Sequence, residues 1–86
     1  MKLRVNGQDW RIARRRAPSD GHDLGSCDWP TKRIYVDEHL TGKRLVETVI
    51  HEVAHANLWC LSEEAVEELA RTATRLLYKL KAIPRD

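Results

Sequence analysis

His51, Glu52 and His55 form an H-E-x-x-H run inside a stretch with helical periodicity. On a helix, residues four apart share a face about one turn apart, so both imidazoles can reach one ion. A glutamate beside the first histidine can then take a proton from a water that the ion polarises. Together these steps make up metal-assisted hydrolysis. Two histidines alone hold zinc weakly, and a catalytic site wants a third protein ligand with a fourth position left open. Candidates along the chain are His22, Asp23, His39, Cys60, Glu63, Glu64 and Glu67.

Two helices must position these groups. The first spans 41–58, with Thr41 as its N-cap. Its apolar stripe is Val46, Val49, Ile50, Val53 and Asn57, with Leu45 and Ala54 at the margins. At about 100° per residue, His51 and His55 fall opposite that stripe, toward a cleft or solvent. The second helix spans 62–81 behind Ser62, another N-cap, and its apolar face is Val66, Leu69, Ala70, Ala73, Leu76, Leu77 and Leu80. Glu64, Glu68, Arg71 and Arg75 lie on the other side, at spacings that suit ion pairs.

A turn around Trp59 sets position 63 opposite 55 and position 67 opposite 51. Helix axes about 8–10 Å apart leave room for an ion between such faces. Glu63 lies about 80° and Glu67 about 120° from the centre of the apolar face, while Glu64 is nearly opposite it. Glu63 is therefore placed as the third ligand and Glu67 as an acceptor for the N–H of His51, or the two with roles exchanged. A glutamate at position 63 is also favoured by the helix dipole alone.

Upstream, residues 2–16 read as a β-hairpin: Asn6-Gly7 suits a type I′ turn, flanked by Leu3, Val5, Trp10 and Ile12 at alternating positions. Residues 17–31 are rich in Pro, Gly, Asp and Ser and read as a loop. Residues 32–37 alternate, with Ile34 and Val36 on one side and Arg33, Tyr35 and Asp37 on the other, as a third strand. The expectation is a single α+β domain over 1–86, a sheet of about three strands packed on a two-helix hairpin.

The 86 residues are 42% apolar and 33% charged, with a net charge of +2. That composition suits an ordinary small domain whose modest core a bound metal would help to hold. Two cysteines make no disulfide framework, and the start MKLRVNGQDW lacks the apolar segment of a signal peptide. No apolar run approaches membrane-spanning length. The expected setting is a reducing cytoplasm without membrane contact. The small positive balance does not by itself point to nucleic acid.

The run ETVIHEVAHANLWCLSEEAVEELA resembles the active-site helix pair of gluzincin-type metallopeptidases. In those, H-E-x-x-H is followed on the next helix by a ligand Glu and, four residues on, an acidic partner; Glu63-x-x-x-Glu67 is similar. A loop with Gly and a strand KRIYVD precede the helix, as in the compact ImmA/IrrE-like and SprT-like zincins of phages and mobile elements. The resemblance covers roughly residues 25–80. Seven residues separate His55 from Glu63, fewer than in larger members, and no residue of the N-terminal hairpin matches one of the family's. The resemblance implies a zinc metalloprotease acting on a protein or peptide, with Glu52 as general base and His51, His55 and Glu63 on the metal. It further implies that strand 32–37, at a sheet edge, pairs with an extended substrate. The alternative is a non-catalytic module of the same fold that binds a protein or DNA partner.

Other residues carry weaker signals. Tyr35 is a candidate oxyanion-stabilising group and otherwise an exposed strand tyrosine; Tyr78, about 22 Å along its helix from Glu63, is a poorer one. Arg11, Arg14, Arg15 and Arg16 could meet phosphate or acidic protein, or form a solvated strand end. Cys27 and Cys60 could be thiolate ligands or small buried thiols. His22 with Asp23 could cap the open metal position. His39 belongs to the approach to the first helix. Trp59 and Leu61 are expected to staple the turn between the helices.

Overall fold

A computed structural model describes residues 1–16 and 24–83, so the expectations for His22 and Asp23 lie outside the described residues. The chain turns back early because Asn6 and Gly7 both take positive φ, 50° and 78°. That is the type I′ geometry, whose twist matches that of paired strands. It joins β1 (Lys2–Val5) to β2 (Gln8–Arg15) as antiparallel neighbours.

The segment read as one loop contains a strand, β3 (Gly25–Asp28). Gly, Ser and Asp are poor strand formers, so local propensity gives no sign of it. Its partner imposes it: β4 (Arg33–Asp37) offers an edge, and Cys27 lies in register with Ile34 on the core side. β4 also runs parallel to β2, giving a four-stranded mixed sheet in the order β1-β2-β4-β3. β4 is thus interior, with both edges hydrogen-bonded. The expectation that strand 32–37 pairs with a substrate fails for that reason, and β3 takes the edge position.

α1 (Gly42–Asn57) lies across the inner face of the sheet and α2 (Glu63–Lys79) packs on α1. The layers are therefore sheet, α1, α2, rather than a helical hairpin laid flat on the strands. Leu45, Val49, Val53 and Ala56 of α1 meet Val5, Trp10, Ile34, Val36 and Leu40. Trp10, Ile34 and Val36 are each 1% exposed, and burying a side chain of this kind contributes about 1.5–3 kcal/mol. Trp29 packs edge-on against Trp10, with ring centroids 5.0 Å apart.

Two helix faces differ from their sequence pattern. The sheet-facing stripe of α1 is rotated toward Leu45 and Ala56, and Asn57 leaves it. Its side-chain amide instead donates to the Val53 carbonyl at 2.9 Å, and its own carbonyl accepts from Asn6 at 3.3 Å. α2 buries Val66, Ala70 and Thr74 but leaves Leu69, Leu76 and Leu80 exposed. Packing against one helix covers only part of its wide apolar face. Among the described residues, no helix is long and apolar enough to cross a membrane.

Candidate metal centre

α1 supplies His51 and His55 one turn apart, and the first turn of α2 supplies Glu63. The connection is short and fixed at both ends. The Leu61 N–H donates to the Leu58 carbonyl at 2.9 Å, and Ser62 Oγ accepts from the Ala65 N–H at 3.1 Å. That second bond caps α2 and fixes the turn that carries Glu63.

The imidazole Nε2 atoms of His51 and His55 are 3.1 Å apart. Glu63 Oε1 lies 2.8 Å from the first and Oε2 3.0 Å from the second. Each histidine side chain is about one-quarter exposed or less, 22% and 23%, while Glu63 is 57% exposed. Three donors from two helices thus converge at one point, and these residues could hold a metal ion.

The carboxylate can be met in two ways: two imidazoles protonated at Nε2 donate side by side to Oε1 and Oε2, or one ion takes the place of both protons and is shared by the three groups. Donors around tetrahedral zinc stand about 3.3 Å apart, so small adjustments of these side chains would admit it. Two imidazoles and a carboxylate also form a donor set that zinc accepts, with a position to spare.

Glu52 takes a different direction from its neighbours. It is 7% exposed and lies against β3. A Cβ added to Gly25 would stand 3.0 Å from both Cγ and Oε2 of Glu52 and 2.8 Å from Thr48 Cγ2. Glycine at position 25 is what lets the helix approach the strand so closely. Burial, with the nearby carboxylates of Glu52 and Asp28, pushes the Cys27 thiol up to about 11, so Cys27 stays a thiol at neutral pH.

A cavity of about 480 Å³ opens beside these groups, walled by Leu24 and Gly25, by Arg44, Glu47, Thr48, His51 and Glu52 of α1, and by Glu63, Glu67 and Arg71 of α2. Gly25, Arg44, Glu47 and Thr48 were not singled out from sequence, and Arg71, read as a solvent-side ion-pair residue, keeps its pair with Glu68 and also lines the cavity. Only the helical spacing of 44, 48 and 51 on one face could have marked the α1 members.

The other predicted groups lie in different places. Glu67 lines the cavity, yet among the described residues no hydrogen bond joins it to either histidine. Tyr35 is not brought to the site. Ile34 and Val36 point inward, so Tyr35 stands on the far face of the sheet, with the Arg15 guanidinium 3.8 Å from its ring centroid. Tyr78 meets Lys43, 4.4 Å from its ring centroid, near the other end of the helix pair. Cys60 is exposed rather than a buried thiol, and it is not among the residues that converge. Trp59, 73% exposed, does not staple the turn. His39 sits just before α1, beside Glu38. No family model, curated protein or solved structure matches the chain.

Proposed function

We propose that the chain is a zinc-dependent peptidase of compact zincin type, acting on a protein or peptide in a reducing cytoplasm. One observation carries the reading: the buried carboxylate of Glu52 shares an open cavity with His51 and Glu63, two of the three donors that converge with His55. Zinc held there would supply Lewis acidity toward a substrate carbonyl and toward water. His51, His55 and Glu63 would hold it, beside the cavity that His51 and Glu63 line. Glu52 would accept the proton of the attacking water and hand it to the departing amine. Its burial against Gly25 fixes its carboxylate and keeps bulk water from one side. An extended peptide would pair with edge strand β3, whose Gly25 lines the cavity. Two unpaired cysteines agree with a reducing compartment.

The test compares untagged wild type with Glu52→Gln and His51→Ala. Metal analysis after dialysis against zinc is expected to find a single equivalent in wild type and Glu52→Gln and none in His51→Ala. Hydrolysis of a casein or peptide library should fall by about 10²–10⁴-fold in Glu52→Gln. Zinc bound with no hydrolysis by wild type would instead favour a non-catalytic module of the same fold. A protein that retains no zinc would remove the proposal.

A further inference from the structure

The face of the sheet turned away from the helices is uncovered among the described residues, and it is basic. Strand alternation sends Lys2 and Arg4 of β1, Arg11 and Arg15 of β2, and Arg33 of β4 to that face, together with Tyr35. Asp9, Asp28 and Asp37 share it but do not balance it. Five basic residues face three acids: Asp9 pairs with Arg4 at 3.6 Å, Asp28 stands in register with Arg33, and Asp37 accepts from the His39 N–H at 3.2 Å, which leaves the face net positive. The run Arg14-Arg15-Arg16 is split by the same alternation. Arg14 points inward and donates to the carbonyls of Asp37, Glu38 and Leu40 at 3.1, 2.9 and 2.7 Å.

Two details exceed what solvation of a sheet face requires. Arg11 and Arg33 are register partners on neighbouring strands, and like charges in that position repel. Next along the strands, Ala13 pairs with Tyr35, so a small residue leaves a hollow beside the ring. The result is a groove of about 380 Å³ lined by Arg11, Ala13, Arg33 and Tyr35. The Arg15 guanidinium stacks on the tyrosine, 3.8 Å from its ring centroid.

We propose that this groove binds single-stranded nucleic acid, with a base stacked against Tyr35 and phosphates between Arg11 and Arg33. The chemistry selects that class of ligand. An anion between the guanidiniums relieves their repulsion, and a planar π-face fits beside a tyrosine over alanine. Among the described residues the face carries no large exposed aliphatic side chain, because Leu3, Leu58, Leu69, Leu76 and Leu80 lie elsewhere and Met1 pairs with the inward-facing Ile12. It thus lacks the apolar anchors that a protein partner would use. The surface is on the opposite side of the sheet from the cavity, so this inference does not depend on zinc or proteolysis.

The test is fluorescence anisotropy of a labelled oligothymidylate of about twelve nucleotides, a length that spans a site of this kind. It is read at ~50 and ~200 mM salt. Wild type is expected to bind and to weaken with salt. Arg11→Ser with Arg33→Ser should lower affinity at least tenfold and flatten the salt dependence by roughly 1.4 log units per log unit of salt for two phosphate contacts. Tyr35→Ala should lower affinity on the order of tenfold with an unchanged salt slope, and Tyr35→Phe should restore it. Circular dichroism melting of each variant confirms that the fold persists. Absence of binding at low salt, unchanged binding by the arginine pair, or equal displacement by polyglutamate would overturn the proposal; the last would mark an acidic-protein surface instead.

Discussion

One sheet presents two chemistries, and β4 shows the contrast within five residues. Ile34 and Val36 are 1% exposed on the inner face, while Arg33 and Tyr35 stand on the outer one. The inner face is held by packing: α1 presses on it closely enough that Gly25 cannot carry a side chain without displacing Thr48 or Glu52. The outer face has no such constraint among the described residues, and it accumulates like charges. Stability is therefore invested on one side and chemistry is free to vary on the other. The candidate metal centre stands apart from both, on the helix layer above the packed face.

The strongest way to break this contrast is at its centre. Trp10→Ala should cost about 3–5 kcal/mol in chemical denaturation, because the ring is 1% exposed and supports Trp29 as well as the strands. A cost under about 1 kcal/mol would show that the inner face is not the core.

Gly25→Ala tests the close approach of helix and strand. Its methyl group would meet Thr48 Cγ2 at 2.8 Å and Glu52 at 3.0 Å. A loss of about 1–3 kcal/mol is expected, partly recovered in the double variant with Thr48→Ala. Hydrolysis should fall as well, because Glu52 must move to make room.

Cys27 lies on the inner face and Cys60 is exposed in the helix connection. Iodoacetamide near neutral pH should modify Cys60 well before Cys27, as peptide mapping would show. The folded-state thiol of Cys27 is raised from 9.0 to about 11, so the native state holds its proton more tightly. This group therefore adds nothing to pH dependence below 9.0, and it lowers stability as pH rises through that window. Cys27→Ala should flatten the decline in melting temperature across the same range.

The smallest effect belongs to the outer face. Arg33→Ser should change stability by less than about 0.5 kcal/mol, with a slight gain where repulsion from Arg11 is relieved. A large loss would mean that the guanidinium holds the sheet together, and the contrast between the faces would be weaker.

The α+β class was legible because the hairpin and both helices carry strong local signals. Asn6-Gly7 specifies its turn, the spacing of Val49 and Val53 specifies a helix, and Ser62 caps the next. β3 was hidden because its residues have no strand preference and its register comes from β4. The exposure of Trp59 and of Leu69, Leu76 and Leu80 was equally hidden. A hydrophobic pattern says what a helix is able to bury, whereas the layer order decides how much is covered. At the candidate centre, the H-E-x-x-H spacing and Glu63 point to the residues that converge. Tyr35 could not be assigned correctly without knowing which face of the sheet receives the helices.

α2 rests on α1 rather than on the strands, through a seam of mostly modest side chains. An ion gripped by His51, His55 and Glu63 would cross that seam and tie the C-terminal helix to the rest of the molecule. Chelation should then unfasten this outermost layer before the sheet loosens, and faster amide exchange confined to residues 63–79 would be its trace.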